Sequence, residues 1–320
     1  LGSRSVAIGR AALNAQNFES ATDTYNVAIG FDAGKAVTTG IQNTLIGGLA
    51  GDAITDGTFN TFVGKDAGGA LSTGDYNTFI GTGTIAGTGN FGSGSLMTTG
   101  SKNVILGGYN GNQNSLDIRT SSNNIVLSDG DGNPRLYINS NGFCLLGTTD
   151  ETIFNHGASG DDGVSIGTNS MQIARSGDQM LLLNRMDSTG GVVGFYYNGT
   201  GVGSISVGAS STAYNTSSDH RLKENVSYEW DATTRLKQLK PARFNFIAMP
   251  DTIVDGFLAH EAQAVVPEAV HGTYNQVDDD GVAVMQGIDQ SKLVPLLVKA
   301  IQEQQALIEA LTARITTLEG

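Results

Sequence analysis

Five copies of one short pattern confine the first third of the chain to a stack of short strands. Asn26-Val27-Ala28-Ile29-Gly30, Asn43-Thr44-Leu45-Ile46-Gly47, Asn60-Thr61-Phe62-Val63-Gly64, Asn77-Thr78-Phe79-Ile80-Gly81 and Asn103-Val104-Ile105-Leu106-Gly107 share an Asn, a β-type triplet and a Gly. Ser5-Val6-Ala7-Ile8-Gly9 is an earlier, degenerate copy. The first residues lie 21, 17, 17, 17 and 26 apart, and Ala33-Gly34, Ala50-Gly51 and Ala67-Gly68 follow three of the copies. A strand this short cannot bury a face by itself. The units must therefore stack as coils of a β-solenoid or roll, with Gly at the tight corners. The Asn that opens each coil is expected to build an internal ladder.

Composition bounds the rest. Of 44 Gly in 320 residues, 39 precede residue 218, which places a boundary there, and the absence of a G-X-Y period excludes collagen. Apolar alternation through the Gly/Ser/Thr/Asn stretches argues for β structure over disorder. A net charge of -13 excludes a phosphate-tracking surface, so nucleic acid is dropped as a partner. Cys144 is alone, and one Cys with four His leaves too few ligands for a zinc cage; no metal and no cofactor are expected. No run of about 18 apolar residues exists, so no membrane insertion is expected. The opening Leu-Gly-Ser-Arg lacks an initiator Met, and the expectation is a soluble piece of something longer.

Residues 113–217 lose the repeat but keep β-type runs: Asn124-Ile125-Val126-Leu127, Arg135-Leu136-Tyr137-Ile138, Gln179-Met180-Leu181-Leu182-Leu183 and Gly194-Phe195-Tyr196-Tyr197, separated by Asp-Gly, Asn-Gly and Gly-Gly turns. Few bulky groups per strand point to several chains sharing one core. From Ser218 the chain reads as α+β, with strands at 242–247 and 256–259 and a helix at 262–266 stopped by Pro267. From Leu297 a heptad seam follows: Leu297, Ile301, Gln304, Ile308, Leu311, Ile315 and Leu318. Taken alone, that seam favours two strands. The fold class is mainly β: a glycine-rich β-solenoid or roll shaft, followed by a small α+β domain that ends in a coiled-coil helix.

The densest polar constellation is Ser217-Ser218-Asp219-His220-Arg221-Leu222-Lys223-Glu224-Asn225-Val226. A Lys whose pKa is depressed by desolvation or by a neighbouring cation such as Arg221 can take a proton from Ser, which makes Ser218 and Lys223 candidates for a nucleophile and its base. Their spacing puts them on opposite faces of a strand and about 140° apart on a helix, so a dyad needs an irregular turn. Spacing alone favours a solvated charged turn. His220 or His260 is a rival general base, although a lone His is more often structural.

The same segment resembles the Ser-Asp-x-Arg-Leu-Lys-x-Asn opening of the C-terminal intramolecular chaperone of phage tail spikes, tail fibres and endosialidases, a self-cleaving serine peptidase family. Leu239-Lys240-Pro241-Ala242-Arg243-Phe244, Gly256-Phe257-Leu258-Ala259-His260-Glu261, Val266-Pro267-Glu268-Ala269-Val270 and Leu293-Val294-Pro295-Leu296-Leu297-Val298-Lys299-Ala300-Ile301-Gln302-Glu303 resemble its later motifs in order. His260 stands where such domains commonly have Gln. The resemblance implies an intertwined homotrimer, catalytic Ser218 and Lys223, and motif residues Arg221, Leu222, Asn225, Gly256 and Glu261; the cut is expected at the junction Ser218–Asp219, with Ser217–Ser218 as the adjacent alternative. The expected domains are a repeat shaft or head at 1–112, a β-rich stalk at 113–217, a chaperone and autopeptidase at 218–295 and a coiled-coil helix at 296–320. The trimer implied by the resemblance is preferred over the dimer suggested by the seam.

The expected function is the distal part of a phage tail fibre or spike in the virion, contacting a host cell-surface glycan or protein receptor. Its chaperone is expected to be released in the host cytoplasm. The glycine repeats also resemble heads of trimeric bacterial adhesins, a class that carries a C-terminal β-barrel anchor. A carbohydrate-degrading tailspike is the third class, though no spaced carboxylate pair stands out. Smaller signals read as structure. Asp129-Gly130-Asp131-Gly132-Asn133 is a hairpin turn lacking the acidic ligand a calcium loop needs, and Asp278-Asp279-Asp280-Gly281 is a solvated turn. Gly199-Thr200-Gly201-Val202-Gly203 lacks the Lys of a phosphate loop; Trp230 with Tyr228 is able to form an aromatic sugar platform, but their place in the chaperone-like segment makes core packing the expectation.

Overall fold

The computed structural model describes residues 2–85, 89–155, 162–177 and 179–320. The repeat strands β1 (Val6–Ile8), β2 (Val27–Ile29), β3 (Thr44–Ile46), β4 (Thr61–Val63), β5 (Thr78–Ile80), β6 (Val104–Leu106) and β7 (Ile125–Ser128) pair in parallel, each residue opposite its counterpart in the next coil. They form a β-solenoid of about six turns. The sheet then continues antiparallel through β8 (Pro134–Ile138), β9 (Cys144–Leu146), β10 (Gly163–Ile166) and β11 (Met171–Ala174), making 11 strands in all.

Three inward columns make the core of each coil. The middle strand residue is buried (Ala28, Leu45, Phe62, Phe79, Ile105), the next column is Ala33, Ala50 and Ala67, and the far wall is Val37, Ile54, Leu71 and Met97. Phe62 and Phe79 stack at 4.8 Å between ring centroids. Burying each such ring contributes about 2 kcal/mol, which a lone coil could not obtain. Two requirements of stacking fix the flanks of the triplet. Gly30, Gly47, Gly64 and Gly81 take φ between +128° and +142°, and a Cβ on Gly47 would lie 2.3 Å from the carbonyl oxygen of Gly64 in the next coil. Only Gly fits that corner.

The Asn ladder is present. The amide N–H of Asn43 donates to Oδ1 of Asn26 at 2.9 Å, and Asn60, Asn77, Asn103 and Asn124 repeat the bond on the preceding Asn at 3.0 Å. The Nδ2 groups of Asn26, Asn43, Asn60, Asn77 and Asn103 donate in turn to backbone carbonyls 14 to 23 residues further on, as from Asn60 to Gly74 at 2.8 Å, while that of Asn124 donates back to the Ser122 carbonyl. Buried side-chain amides thus satisfy backbone groups that the coil corner leaves unpaired.

The chain divides into two compact units, Leu1–Val192 with Ser206–Thr212, and Val193–Ile205 with Ala213–Gly320. A three-stranded sheet comprises β12 (Gly190–Tyr197), β13 (Thr200–Val207) and β14 (Thr212–Thr216). Asn198 and Gly199, both at positive φ, make the two-residue turn between β12 and β13, so the Gly-rich segment 199–203 is hairpin. The second unit has its own core of Ala232, Ala262, Val266, Ala269, Val270, Leu293, Leu296 and Ala300. Around it lie α1 (Ala232–Leu236), the hairpin β15 (Ala242–Asn245) and β16 (Ile253–Gly256), α2 (Ala259–Gln263), the short pair β17 (Val270–His271) and β18 (Gly287–Ile288), and the 26-residue α3 (Val294–Glu319).

Several local expectations are corrected. Residues 179–183 form no strand and are exposed; among the described residues no strand pairs with them. The second strand of the 242–256 hairpin precedes Phe257, and the following helix starts at Ala259. Trp230 and Tyr228 are 37% and 80% exposed and so are not core residues; with Val294, Pro295 and Val298 they line a surface groove instead. Asp129 is indeed committed to a turn. Its carboxylate accepts from the Asn133 backbone and side chain and from Arg135, which holds its pKa down at about 2.

Candidate functional site

Ser217 follows β14, its N–H donating to the Val202 carbonyl at 3.1 Å. Two residues later Asp219 caps a single 3₁₀ turn, His220–Leu222, by accepting from the Arg221 N–H at 2.9 Å. Asp is a strong capping residue because its short carboxylate reaches an orphan donor. Lys223 then leaves the turn in extended conformation, φ -125° and ψ 138°.

That irregular turn meets the geometric demand of the five-residue spacing. Lys223 Nζ lies 2.8 Å from Ser218 Oγ. Ser218, Asp219, His220, Arg221, Leu222, Lys223 and Asn225 are all exposed. In this geometry Nζ donates to the hydroxyl, and it is placed to accept the hydroxyl proton wherever it is present as the free amine.

Asp219 and Arg221 form a clamp around the turn. Nε and Nη2 of Arg221 donate to the two carboxylate oxygens at 2.9 and 2.8 Å. These bonds lower the Asp219 pKa, chiefly through the Arg221 side chain, and raise that of Arg221. Arg221, the neighbouring cation considered beside Lys223, thus has its charge matched by Asp219. The role of Asp219 as cap and clamp was missed by sequence reasoning, although Asp before a short polar turn is a cap signal. Asn225 adopts the left-handed region at φ 54°, which Asn tolerates best among non-glycine residues.

The other motif residues build the scaffold. Gly256 ends β16 under the Phe244 ring, where an added Cβ would meet ring carbons at 3.3 Å. Glu261 on α2 accepts from Lys240 Nζ at 3.1 Å, joining two of the motifs. Arg235 donates to the Val265 carbonyl at 2.8 Å and to Glu268 at 3.0 Å. His260 packs against Tyr274, ring centroids 4.6 Å apart, and His220 Nδ1 lies 3.5 Å from Asp219 Oδ1. His260 thus faces Tyr274 and His220 faces Asp219, while Lys223 is the side chain within hydrogen-bond distance of Ser218 Oγ. Among the described residues no cluster of three or more His, Cys, Asp or Glu could hold a metal ion, and no helix is long and apolar enough to cross a membrane.

Comparison with known proteins gives the same segment a family. Residues 218–271 match the family described as chaperone of endosialidase. No curated protein matches the chain. A chaperone match that begins at Ser218, in a chain that opens with a β-solenoid, fits a tail-spike-like protein.

Proposed function

We propose that this chain is part of a phage tail fibre or tail spike that assembles as a homotrimer for host-surface attachment, and that its C-terminal chaperone releases itself by single-turnover serine peptidase chemistry. The observation that carries the reading is the 2.8 Å contact between Lys223 Nζ and Ser218 Oγ, inside the chaperone-matched residues.

In this reading Lys223, as the free amine, takes the Oγ proton. Oγ attacks the carbonyl carbon of the scissile bond, and the C–N bond breaks. The leaving nitrogen picks up a proton to become a new α-amino group, and water hydrolyses the ester to a carboxylate. The cut is placed at Ser218–Asp219. Attack on that carbonyl by the same residue closes a strained four-atom ring, so the hydroxyl comes from Ser218 of a neighbouring copy; attack on the Ser217 carbonyl, the adjacent cut, closes an easier five-atom ring. The turn is exposed in one chain, so packing of copies around it supplies the desolvation that frees the amine, and cleavage follows assembly. The chaperone would leave in the host cytoplasm and the remainder enter the virion.

Intact-mass measurement on purified protein tests this. Ser218→Ala and Lys223→Ala are expected to stay full length while keeping the trimer; Ser217→Ala and His260→Gln are expected to cut. The wild-type fragment mass assigns the bond. The same fragment from Ser218→Ala sinks the dyad and leaves an external protease as the agent.

A further inference from the structure

The outward face of the 11-stranded sheet is uncharged and largely aliphatic, broken in one row by Thr44, Thr61 and Thr78. The sheet's inward face is the solenoid core. On its outward face, register pairing traces one row across every strand, from Ile8 through Ile80 and Leu106 to Leu127, Leu146 and Ile173, and each position in that row is Ile, Val or Leu. Its members Ile8, Ile46, Ile80, Leu106, Leu127 and Leu146 are between 36% and 58% exposed. A second row beside it, from Val6 through Thr61 to Cys144 and Met171, carries no charge.

Repetition does not account for the first row. After β7 the pentapeptide pattern is gone and pairing turns antiparallel, yet Leu136, Leu146, Val164 and Ile173 keep it aliphatic. A sheet exposed on one face alternates apolar with polar residues; one that is largely apolar on both faces is covered on both. At about 4.8 Å per strand the row is about 50 Å long, so its cover must present a straight apolar ladder of the same pitch. A second copy of this chain does. A glycan or a charged surface needs polar partners, and the rows offer no charge. The same chain also leaves the α3 seam uncovered at Ile301, Ile308, Leu311 and Ile315, a second periodic apolar stripe matched by parallel copies of itself.

Resting on the trimer reading above, we propose that the outward face of this sheet is the mating surface between three copies, with the Ile8-to-Ile173 row facing the threefold axis. The test uses the full chain with Cys144→Ser, to remove the native thiol, and Ile80→Cys or, as an independent position in the row, Leu106→Cys. A trifunctional maleimide is expected to yield a covalent trimer from either variant and none from Thr73→Cys, an exposed position off the face. A bulky polar maleimide is expected to lose access to residues 80 and 106 but not to residue 73. A trimer by light scattering whose residues 80 and 106 label freely and give no covalent trimer overturns the face and leaves the assembly standing. A monomer overturns both, and covalent dimer alone overturns the threefold arrangement.

Discussion

Asn60 shows how much one residue carries in a stacked coil. Its Nδ2 donates to the Gly74 carbonyl at 2.8 Å and to Asn43 Oδ1 at 3.1 Å, and its Oδ1 accepts from the Asn77 backbone at 3.0 Å. Truncation to Ala leaves a buried carbonyl and a buried N–H without partners, at about 1–3 kcal/mol each. Asn60→Ala is therefore expected to lose about 3 kcal/mol, read as a lowered thermal midpoint with the β signal retained below it. An unchanged midpoint would mean that water replaces the ladder. The ladder was legible because Asn recurs at fixed spacing before a strand. The residue just before each Asn was not. Phe59 and Tyr76 sit at φ 57°, a conformation that costs bulky residues about 1–2 kcal/mol, and nothing in their identity announces it. Their rings stack 4.7 Å apart, a contact between coils that offsets the strain and that only the three-dimensional stack creates. The Asp219–Arg221 clamp was hidden for a similar reason, since the two residues face each other only after the 3₁₀ turn forms.

At the scale of elements, α3 has two jobs on two faces. Leu296 and Ala300 bury into the chaperone core, while the heptad positions Leu297, Ile301, Ile308, Leu311, Ile315 and Leu318 remain exposed. The periodicity therefore revealed the seam but not the face that docks, which is set by residues between the heptad positions. One side chain ties the helix to α1. Glu303 accepts from the backbone N–H groups of Ala232 and Thr233 at 3.1 and 2.8 Å and from Thr233 Oγ1 at 2.6 Å. It thus satisfies donors that a helix start leaves open. These bonds, the Thr233 side chain foremost, lower the Glu303 pKa. A carboxylate depressed on folding contributes stability above its unfolded pKa and loses it as pH falls through the folded value. Glu303→Ala is expected to destabilise the second unit at pH 7, and its gap from wild type is expected to close as pH drops below the usual glutamate range. Chemical denaturation at several pH values checks this; a gap independent of pH removes the carboxylate from the explanation. The run at 179–183 teaches the opposite lesson. Its composition reads as a strand, but β structure depends on a paired neighbour, and among the described residues no strand pairs with it.

For the whole molecule, the order of folding follows from which surfaces one chain can satisfy alone. The solenoid interior closes within a chain. The outward row, the 179–183 run and the α3 seam do not, and they are distributed along most of its length. Bringing such surfaces together in register is slow, because the chains lose entropy before many contacts form, and in the meantime apolar faces and strand edges invite aggregation. A C-terminal element that gathers copies first would shorten that interval, and once the long interface has closed it would no longer be needed. Residues 219–320 are therefore expected to be required during folding and dispensable afterwards. A gene ending at residue 217 is expected to yield aggregate, whereas protease removal of the C-terminal part from assembled Ser218→Ala protein is expected to leave a trimer that resists SDS. Size exclusion with light scattering, alongside unheated denaturing gels, reads both arms. Soluble, SDS-resistant trimer from the truncated gene would remove the need for a folding helper. Dissociation after protease treatment would instead make the C-terminal part a permanent clamp, and a self-releasing cut at Ser218 would then have no purpose in the assembly.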